Sequence, residues 1–217
     1  CIRDRIMGFI ETINGPAKND VEQKEKFLKI IQVEAERMQR LVNDTLSLTR
    51  VEESEYQTPN ERVSLWYCAN SACDSVQTLA DKKNIKISFQ KEYQKDEFFI
   101  KGNADQITEV FENLLDNAIT YSKDDTNITI AFSEKEENIE FKIIDQGHGI
   151  PKDDIVRVSE RFFRSKTANM YKKNSSGLGL AIVKHIINRH AGSLLIESTE
   201  GKGSTFTITL PKFPASS

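Results

Sequence analysis

Glu109-Val-Phe-Glu-Asn113-Leu-Leu-Asp-Asn117-Ala-Ile-Thr-Tyr121 predicts a helix with two different faces in this 217-residue chain. Its carboxylate and two carboxamides stand four residues apart, so they share one face of a helix. Asn is a poor helix former, and two of them at this spacing indicate a face that binds a ligand or a metal, the alternative being a solvated face. The opposite face predicts packing on a core, because it carries the apolar residues Ile107, Val110, Phe111, Leu114, Leu115 and Ala118.

The overall composition is that of an ordinary soluble protein. Charged residues make up 29% of the chain and the formal net charge is −3, without long single-sign blocks, so we expect no nucleic-acid partner. No apolar run reaches the roughly 18 residues of a spanning helix, and we expect no direct membrane contact. Cys1, Cys68 and Cys73 lack the spacing of a zinc site or a disulfide framework, so a reducing cytosol is the expected compartment.

The first quarter of the chain predicts a helical hairpin. Residues 21–53 contain no Gly or Pro, and their apolar residues recur at three- and four-residue steps, as in one long amphipathic helix. The shorter apolar segment 6–13 precedes it across Asn14-Gly15-Pro16, a combination that makes a turn. Because a single hairpin has little to bury against, we expect two copies to form a four-helix bundle, the alternative being packing on the downstream domain.

A second domain is predicted after a linker at Gln57-Thr-Pro59-Asn60. Strands and helices mix in it without regular alternation, which predicts an α+β class with a mixed sheet covered by helices on one face. We expect a short helix at 153–164, a polar loop at 165–176, and domains at 1–56 and 57–217. The strands are expected at 61–64, 85–89, 98–101, 127–132, 138–144, 193–198 and 204–210, and the other helices at 65–83 and 178–189.

Three glycine segments follow the Asn-containing helix, namely Asp145-Gln-Gly147-His-Gly149, Ser176-Gly177-Leu-Gly179 and Gly201-Lys-Gly203-Ser-Thr-Phe206. Glycine lets the backbone approach a bound group closely. The second segment also opens a helix, whose free N–H groups favour an anion such as a triphosphate. Asp145 ends a strand, where its carboxylate can accept from an exocyclic amine. Each segment alone is most simply a turn, but the three in this order indicate a nucleotide pocket.

This order resembles the N, G1, G2 and G3 boxes of the nucleotide-binding fold shared by sensor histidine kinases, type II topoisomerases and MutL-type ATPases. The resemblance is greatest to histidine kinases and covers nearly the whole chain. Glu160-Arg-Phe-Phe-Arg164 resembles the F box. Residues 21–53 resemble the second dimerisation helix, with its usual motif at 37–46, and residues 6–13 resemble the end of the first, as in phosphate-regulon sensors. It implies a two-layer α/β sandwich that binds ATP and Mg, a homodimer formed through the hairpin, and a response-regulator receiver domain as partner.

Residue by residue, the resemblance implies the following site. Asn113 and Asn117 would position Mg and the phosphates, with Glu109 supporting a metal that prefers oxygen ligands. Asp145 would read the adenine amino group. The resemblance identifies the polar loop at 165–176 as the ATP lid, whose lysines Lys166, Lys172 and Lys173 could pair with phosphate charge, a solvated surface being an equal alternative. The other ATP-binding residues implied are Tyr121, Gly147, Gly149, Lys166, Lys172, Ser176, Gly177, Leu178, Gly179 and Thr205.

The chain departs from the family pattern in three places. Thr120 stands where Lys is frequent, and Ser175 stands where Gly commonly opens the G2 box. No His occurs before His148, whereas the family's acceptor His lies shortly upstream of the segment that matches 6–13. We therefore expect that this chain was shortened within that helix, the alternative being natural alteration, and that it binds Mg-ATP without phosphorylating itself.

The predicted function is that of the ATP-binding catalytic part of a sensor histidine kinase. The parent enzyme, expected to be anchored in the bacterial inner membrane, would transfer the γ-phosphoryl group of ATP to a histidine absent from this chain, for relay to a response-regulator aspartate. Two alternatives stay open at this point. One is an ATPase of the MutL or topoisomerase type, and the other is a non-catalytic, nucleotide-binding pseudokinase.

Overall fold

A computed structural model describes residues 2–16, 18, 20–53, 59–91, 98–165 and 176–214. The helices are α1 (Ile2–Asn14), α2 (Val21–Glu53), α3 (Leu65–Lys82), α4 (Ala104–Tyr121) and α5 (Gly179–Arg189). The strands are β1 (Glu61–Ser64), β2 (Lys86–Phe89), β3 (Phe99–Gly102), β4 (Asn127–Lys135), β5 (Asn138–Ile144), β6 (Ser193–Thr199) and β7 (Gly203–Pro211). Two compact units result, one containing the helical hairpin and one containing the sheets with their helices. Among the helices described, none is long and apolar enough to cross a membrane.

The hairpin unit consists of α1 and most of α2, as predicted. Phe9 stacks on Phe27 with ring centroids 5.5 Å apart. Arg5 Nη1 donates to Oε1 of the buried Glu34 at 2.6 Å. Since a buried charge without its partner is costly, this pair favours one register of the two helices over others.

The second unit is built on a five-stranded mixed sheet with the order β2-β4-β5-β7-β6. The β2–β4 pair is parallel and the other three pairs are antiparallel. A separate antiparallel pair joins β1 to β3. Because side chains alternate along a strand, the paired residues Phe132–Phe141 and Phe141–Ile208 place apolar groups on one face of the sheet. This mixed sheet confirms the predicted α+β class.

Helix α4 docks on that apolar face through the residues predicted from its sequence. Phe111 stacks on Phe141 of β5 with ring centroids 4.3 Å apart. Burying one such side chain contributes about 1.5–3 kcal/mol, so the buried face holds α4 firmly enough to present its polar face at a fixed angle. The buried residues of this helix are Ile107, Val110, Phe111, Leu114, Leu115, Ala118 and Ile119.

The N-terminal end of α4 is fixed by two side chains. Asn103 is the N-cap, and its Oδ1 accepts from the Gln106 N–H at 3.0 Å. The Asn103 N–H donates to Nε2 of the buried His190 at 3.1 Å, and Nδ1 of that ring lies 2.8 Å from the Ile186 carbonyl oxygen. Burial lowers the pKa of His190, in keeping with a neutral ring that accepts at Nε2. This histidine is a structural residue.

The predicted helix at 153–164 is wrong, because these residues form consecutive turns. Phe162 has φ +62°, which a right-handed helix does not allow. Its N–H donates to the Gly177 carbonyl oxygen at 2.9 Å, which removes it from any helical ladder. Residues 57 and 58 of the predicted linker lie outside the described residues, and so does the predicted domain boundary between residues 56 and 57.

Candidate functional site

Asp145 follows β5 and is buried, with 6% of its surface exposed. Its Oδ1 accepts from the Gly147 N–H at 2.8 Å and from the Ser204 N–H at 3.1 Å. Oδ2 takes part in neither of these two bonds. Burial raises the pKa of Asp145, while the hydrogen bonds from Gly147 and Ser204 oppose that rise by stabilising the charged form. The result is a fixed, desolvated acceptor in which each hydrogen bond is stronger than in water.

The glycines around Asp145 are required by close backbone contacts. Gly203 has φ +122°, and a Cβ there would overlap the Asp145 carbonyl oxygen. Gly149 has φ +70°, and a Cβ there would overlap the carbonyl oxygen of Thr199. The His148 carbonyl accepts from the Gly201 N–H at 2.7 Å, which ties the first glycine segment to the third. The two segments therefore form one rigid loop pair.

The C-terminal end of α4 adjoins this loop pair. Ser122 forms an isolated antiparallel bridge with Gly147, and the Tyr121 carbonyl accepts from the His148 N–H at 3.1 Å. A Cβ at Gly147 would lie 2.5 Å from the Tyr121 carbonyl oxygen, so only glycine fits. The structure therefore brings together Tyr121, Asp145, Gly147 and Gly149, four of the predicted residues.

The polar face of α4 meets the start of α5. Asn113 Nδ2 donates to the Glu109 carbonyl oxygen at 2.9 Å, and its Oδ1 would lie 2.8 Å from a Cβ at Gly179. Leu178, the buried N-cap of α5, makes no side-chain capping bond. As in any α-helix, the first-turn N–H groups of α5 have no intrahelical partner, and such groups attract anions.

Glu109, Asn113 and Asn117 are half-buried on one face of α4, as their spacing predicted. Among the described residues, no hydrogen bond to the Asn117 carboxamide is found. No cluster of three or more His, Cys, Asp or Glu side chains suited to a metal occurs in that same part of the chain. The oxygens on this face fit a hard cation such as Mg, which needs few protein ligands when phosphates and water complete its shell.

Three other predicted residues have different outcomes. Lys166 and Lys172 lie outside the described residues. Thr205 is half-buried and pairs with Ile144 of β5 and Glu197 of β6, and its role at the nucleotide stays a prediction. Its neighbour Ser204 donates its backbone N–H to Asp145 Oδ1, a contact that the sequence did not predict.

The second glycine segment also contacts the F-box-like turn. Gly177 has φ +74°, and a Cβ there would lie 3.0 Å from the Phe163 carbonyl oxygen. Phe162 is 66% exposed, whereas Phe163 is half-buried beneath the Arg157 guanidinium, which lies 4.4 Å from its ring centroid. Ser176 precedes Gly177 and is half-buried.

Two protein families match this sequence. Residues 102–214 match the family described as histidine kinase-, DNA gyrase B-, and HSP90-like ATPase. Residues 5–54 match the His Kinase A (phospho-acceptor) domain. The first match covers the site described above, and the second covers the hairpin.

Individual relatives agree with both matches. The chain is 33% identical over 205 residues to the sensor histidine kinase WalK of Bacillus subtilis, covering 94% of this chain and 33% of the relative. It is 33% identical over 202 residues to the phosphate regulon sensor protein PhoR of Pseudomonas aeruginosa, covering 93% and 45%. The histidine kinase AdeS of Acinetobacter baumannii shares the fold, with a TM-score of 0.71 at 22% identity over 97% of this chain and 95% of that one. This chain thus spans between a third and a half of the two curated relatives.

Proposed function

This chain belongs to the histidine kinase-, DNA gyrase B- and HSP90-like ATPase family, joined to a phospho-acceptor region as in sensor histidine kinases, and we propose that it binds Mg-ATP for phosphoryl transfer to a histidine. The observation that carries the proposal is the pairing of two chemically different walls in one unit. One wall is a buried carboxylate suited to an exocyclic amine. The other is an uncapped helix start beside the amide of Asn113, suited to phosphates.

On the purine side, Asp145 accepts from the adenine amino group through the carboxylate that Gly147 and Ser204 hold in place. Gly147 and Gly149 let the backbone lie close to a flat base, and Tyr121 lines the same end of the pocket. A 6-oxo purine would present an acceptor to this carboxylate. The geometry therefore favours adenine over guanine, since two facing acceptors leave both unpaired.

On the phosphate side, Asn113, Glu109 and Asn117 would hold Mg, and Gly177, Leu178 and Gly179 would present N–H groups to the phosphates. When bound, Mg neutralises charge on the phosphate oxygens. We also assign Ser176, Thr205, Lys166 and Lys172 to the nucleotide, on the resemblance alone. In the transfer step, an imidazole nitrogen attacks the γ-phosphorus and ADP leaves with the electrons of the broken P–O bond.

The hairpin is proposed to form a homodimer, with a domain boundary near residue 56. Its exposed apolar side chains support pairing with a second copy. We propose a response-regulator receiver domain as the partner that accepts the phosphoryl group, in a parent protein whose kinase part faces the cytoplasm from the inner membrane. The exposed apolar residues of the hairpin include Met7, Leu28, Val33, Met38, Val42 and Leu46.

The two alternative functions are not favoured. The phospho-acceptor match over residues 5–54 favours a histidine kinase over an ATPase of the MutL or topoisomerase type. The similarity to proteins named sensor histidine kinase and phosphate regulon sensor favours a catalytic part over a non-catalytic, nucleotide-binding module.

The test supplies a separate phospho-acceptor domain bearing a histidine to the purified chain with γ-labelled ATP. We expect acid-labile label on the added domain and none on the chain itself. Asn113→Ala should abolish transfer, whereas Asn188→Ala, which removes an exposed asparagine of α5, should not. Absence of Mg-ATP binding by the unaltered chain would contradict the proposal, and binding without transfer would favour the pseudokinase.

A further inference from the structure

Lys83 lies at the C-terminal end of α4, although it belongs to the end of α3. Its ammonium donates to the backbone carbonyl oxygens of Ile119, Thr120 and Ser122, with Nζ···O distances of 2.9, 2.8 and 3.0 Å. A lysine ammonium has three N–H groups, so these bonds use its full donor capacity. Carbonyls at a helix end lack intrahelical partners and carry the negative end of the helix dipole, which a cation stabilises.

The backbone around Lys83 is itself held in place. Lys83 is the C-cap of α3, and its N–H donates to the Ala80 carbonyl oxygen at 3.1 Å. Its own carbonyl accepts from the Asp125 N–H at 3.0 Å, and Asn84 Nδ2 donates to Asp125 Oδ1 at 2.5 Å. These bonds join the turn after α3 to the turn after α4. The half-buried lysine therefore starts from a fixed backbone.

Lys83 bonds to the helix end that adjoins the side of the pocket formed by Asp145, Gly147, Gly149 and Gly203, here called the purine wall. Ser122 bridges to Gly147, the Tyr121 carbonyl accepts from the His148 N–H, and the Gly147 N–H donates to Asp145 Oδ1. The pKa of His148 is lowered, first by burial and then by the positive charges of Lys123 and Lys83, which agrees with the nearness of this ammonium to the loop. A continuous set of hydrogen bonds thus leads from Lys83 to the carboxylate.

We propose that Lys83 is a positioning residue for the nucleotide pocket. By holding the end of α4 against the first glycine segment, it fixes the position of the purine wall. The inference rests on the proposed function, since it concerns affinity for the same nucleotide. It places Lys83 outside contact with the phosphates. Loss of the Lys83 ammonium should therefore weaken the binding of every adenine nucleotide by the same factor, whatever the number of its phosphates.

The experiment measures Kd for Mg-ATP and Mg-ADP, and KM and kcat for transfer to the added phospho-acceptor domain, on the full chain. For Lys83→Met we expect about a tenfold rise in both Kd values and in KM, with kcat unchanged. Lys82→Met is the matched control, because it removes the same charge from the adjacent exposed position, and it should behave as the unaltered chain does. Near-UV circular dichroism checks that each variant is folded.

Three results would overturn the inference: unchanged nucleotide affinity in folded Lys83→Met, an equal loss of affinity in Lys82→Met, or a loss of affinity in Lys83→Met that is larger for ATP than for ADP. If Lys83→Met does not fold, Lys83→Arg decides, because its planar guanidinium keeps the charge but cannot direct donors to three carbonyls as an ammonium does. Lys83→Arg should weaken the binding of ATP and of ADP equally, by about threefold, and unchanged affinity would contradict the proposal. Failure of the unaltered chain to bind Mg-ATP would instead contradict the proposed function.

Discussion

The purine wall and the phosphate wall of the candidate site are built in opposite ways. Around Asp145 and Gly203, three chain segments are joined by hydrogen bonds among their backbone groups and to the Asp145 carboxylate. At Leu178 and Gly179, the helix start has no side-chain cap. The first wall is preorganised by the protein, whereas the second presents donors for an anion to use. Substitutions that displace the backbone should therefore lower stability at the first wall, whereas those at the second should change phosphate affinity.

The largest effect is expected from Gly203→Ala. The new methyl group would overlap the Asp145 carbonyl oxygen at a φ of +122°, so the backbone of the purine wall must move. We expect the free energy of unfolding to fall by about 3 kcal/mol or more, with loss of ATP binding. Urea denaturation measures the first quantity and calorimetric titration the second.

Gly201→Ala is the control for that prediction. Gly201 also has positive φ, at +80°, but no atom outside its chain neighbours lies within 4 Å of the added Cβ. Gly201→Ala should lower the free energy of unfolding by only about 1 kcal/mol, which is the cost of the left-handed conformation itself. Equal losses at Gly201 and Gly203 would mean that strain, and not contact with Asp145, makes the wall rigid.

Asp145→Asn should reduce ATP affinity by about 100-fold and leave the fold intact. The amide oxygen can still accept from Gly147 and Ser204, but the amide NH₂ replaces an acceptor with a donor. The same change should narrow the preference for ATP over GTP, because a donor suits a 6-oxo purine. Competition binding with the two nucleotides measures this, and an unchanged ratio would show that Asp145 does not face the base.

Gly179→Ala is expected to act at the phosphate wall, with a smaller effect. The new Cβ would meet Asn113 Oδ1, the end of a side chain that can rotate away, so the stability of the fold should hardly change. Displacing the Asn113 amide should weaken the binding of Mg-ATP by about tenfold and should weaken the binding of ADP without Mg by less. A large loss of stability in urea would place Gly179 with the rigid wall instead.

The smallest effect concerns His190, which anchors the start of α4 away from both walls. Burial, followed by the charge of Arg189, lowers its pKa, although the bond to Ile186 opposes this. A pKa lowered in the folded state means that the stabilisation is complete above the unfolded pKa near 6.5 and is lost as pH falls through the folded pKa. Urea denaturation between pH 7.5 and 5 should show this loss in the unaltered chain.

Two variants separate His190 from the general effect of pH. His190→Gln removes the titrating group, so its stability should vary less over this range. His185→Gln removes a half-buried histidine of the same helix and should keep the pH dependence of the unaltered chain. If His190→Gln retains the full dependence, another group is responsible.

Much of the fold could be predicted because local patterns state it directly. Helix α2 begins and ends at the predicted residues, Val21 and Glu53, because an uninterrupted 3.6-residue period of apolar residues indicates a single helix. Strand β5 was likewise predicted over its whole length, Asn138–Ile144. The turns at 153–164 were not predicted, because the bond from Phe162 to Gly177 joins segments that only the tertiary fold brings together.

The sequence alone specifies the polar and apolar faces of α4, the order of the glycine segments and the family to which they belong. These properties depend on residue type and spacing, which are fixed along the chain. The folded structure was needed to show that Ser204 contacts Asp145 and that Lys83 bonds to the end of α4. Those contacts join residues 59 and 36 or more positions apart, and their geometry depends on strand register and helix docking, which no local period specifies.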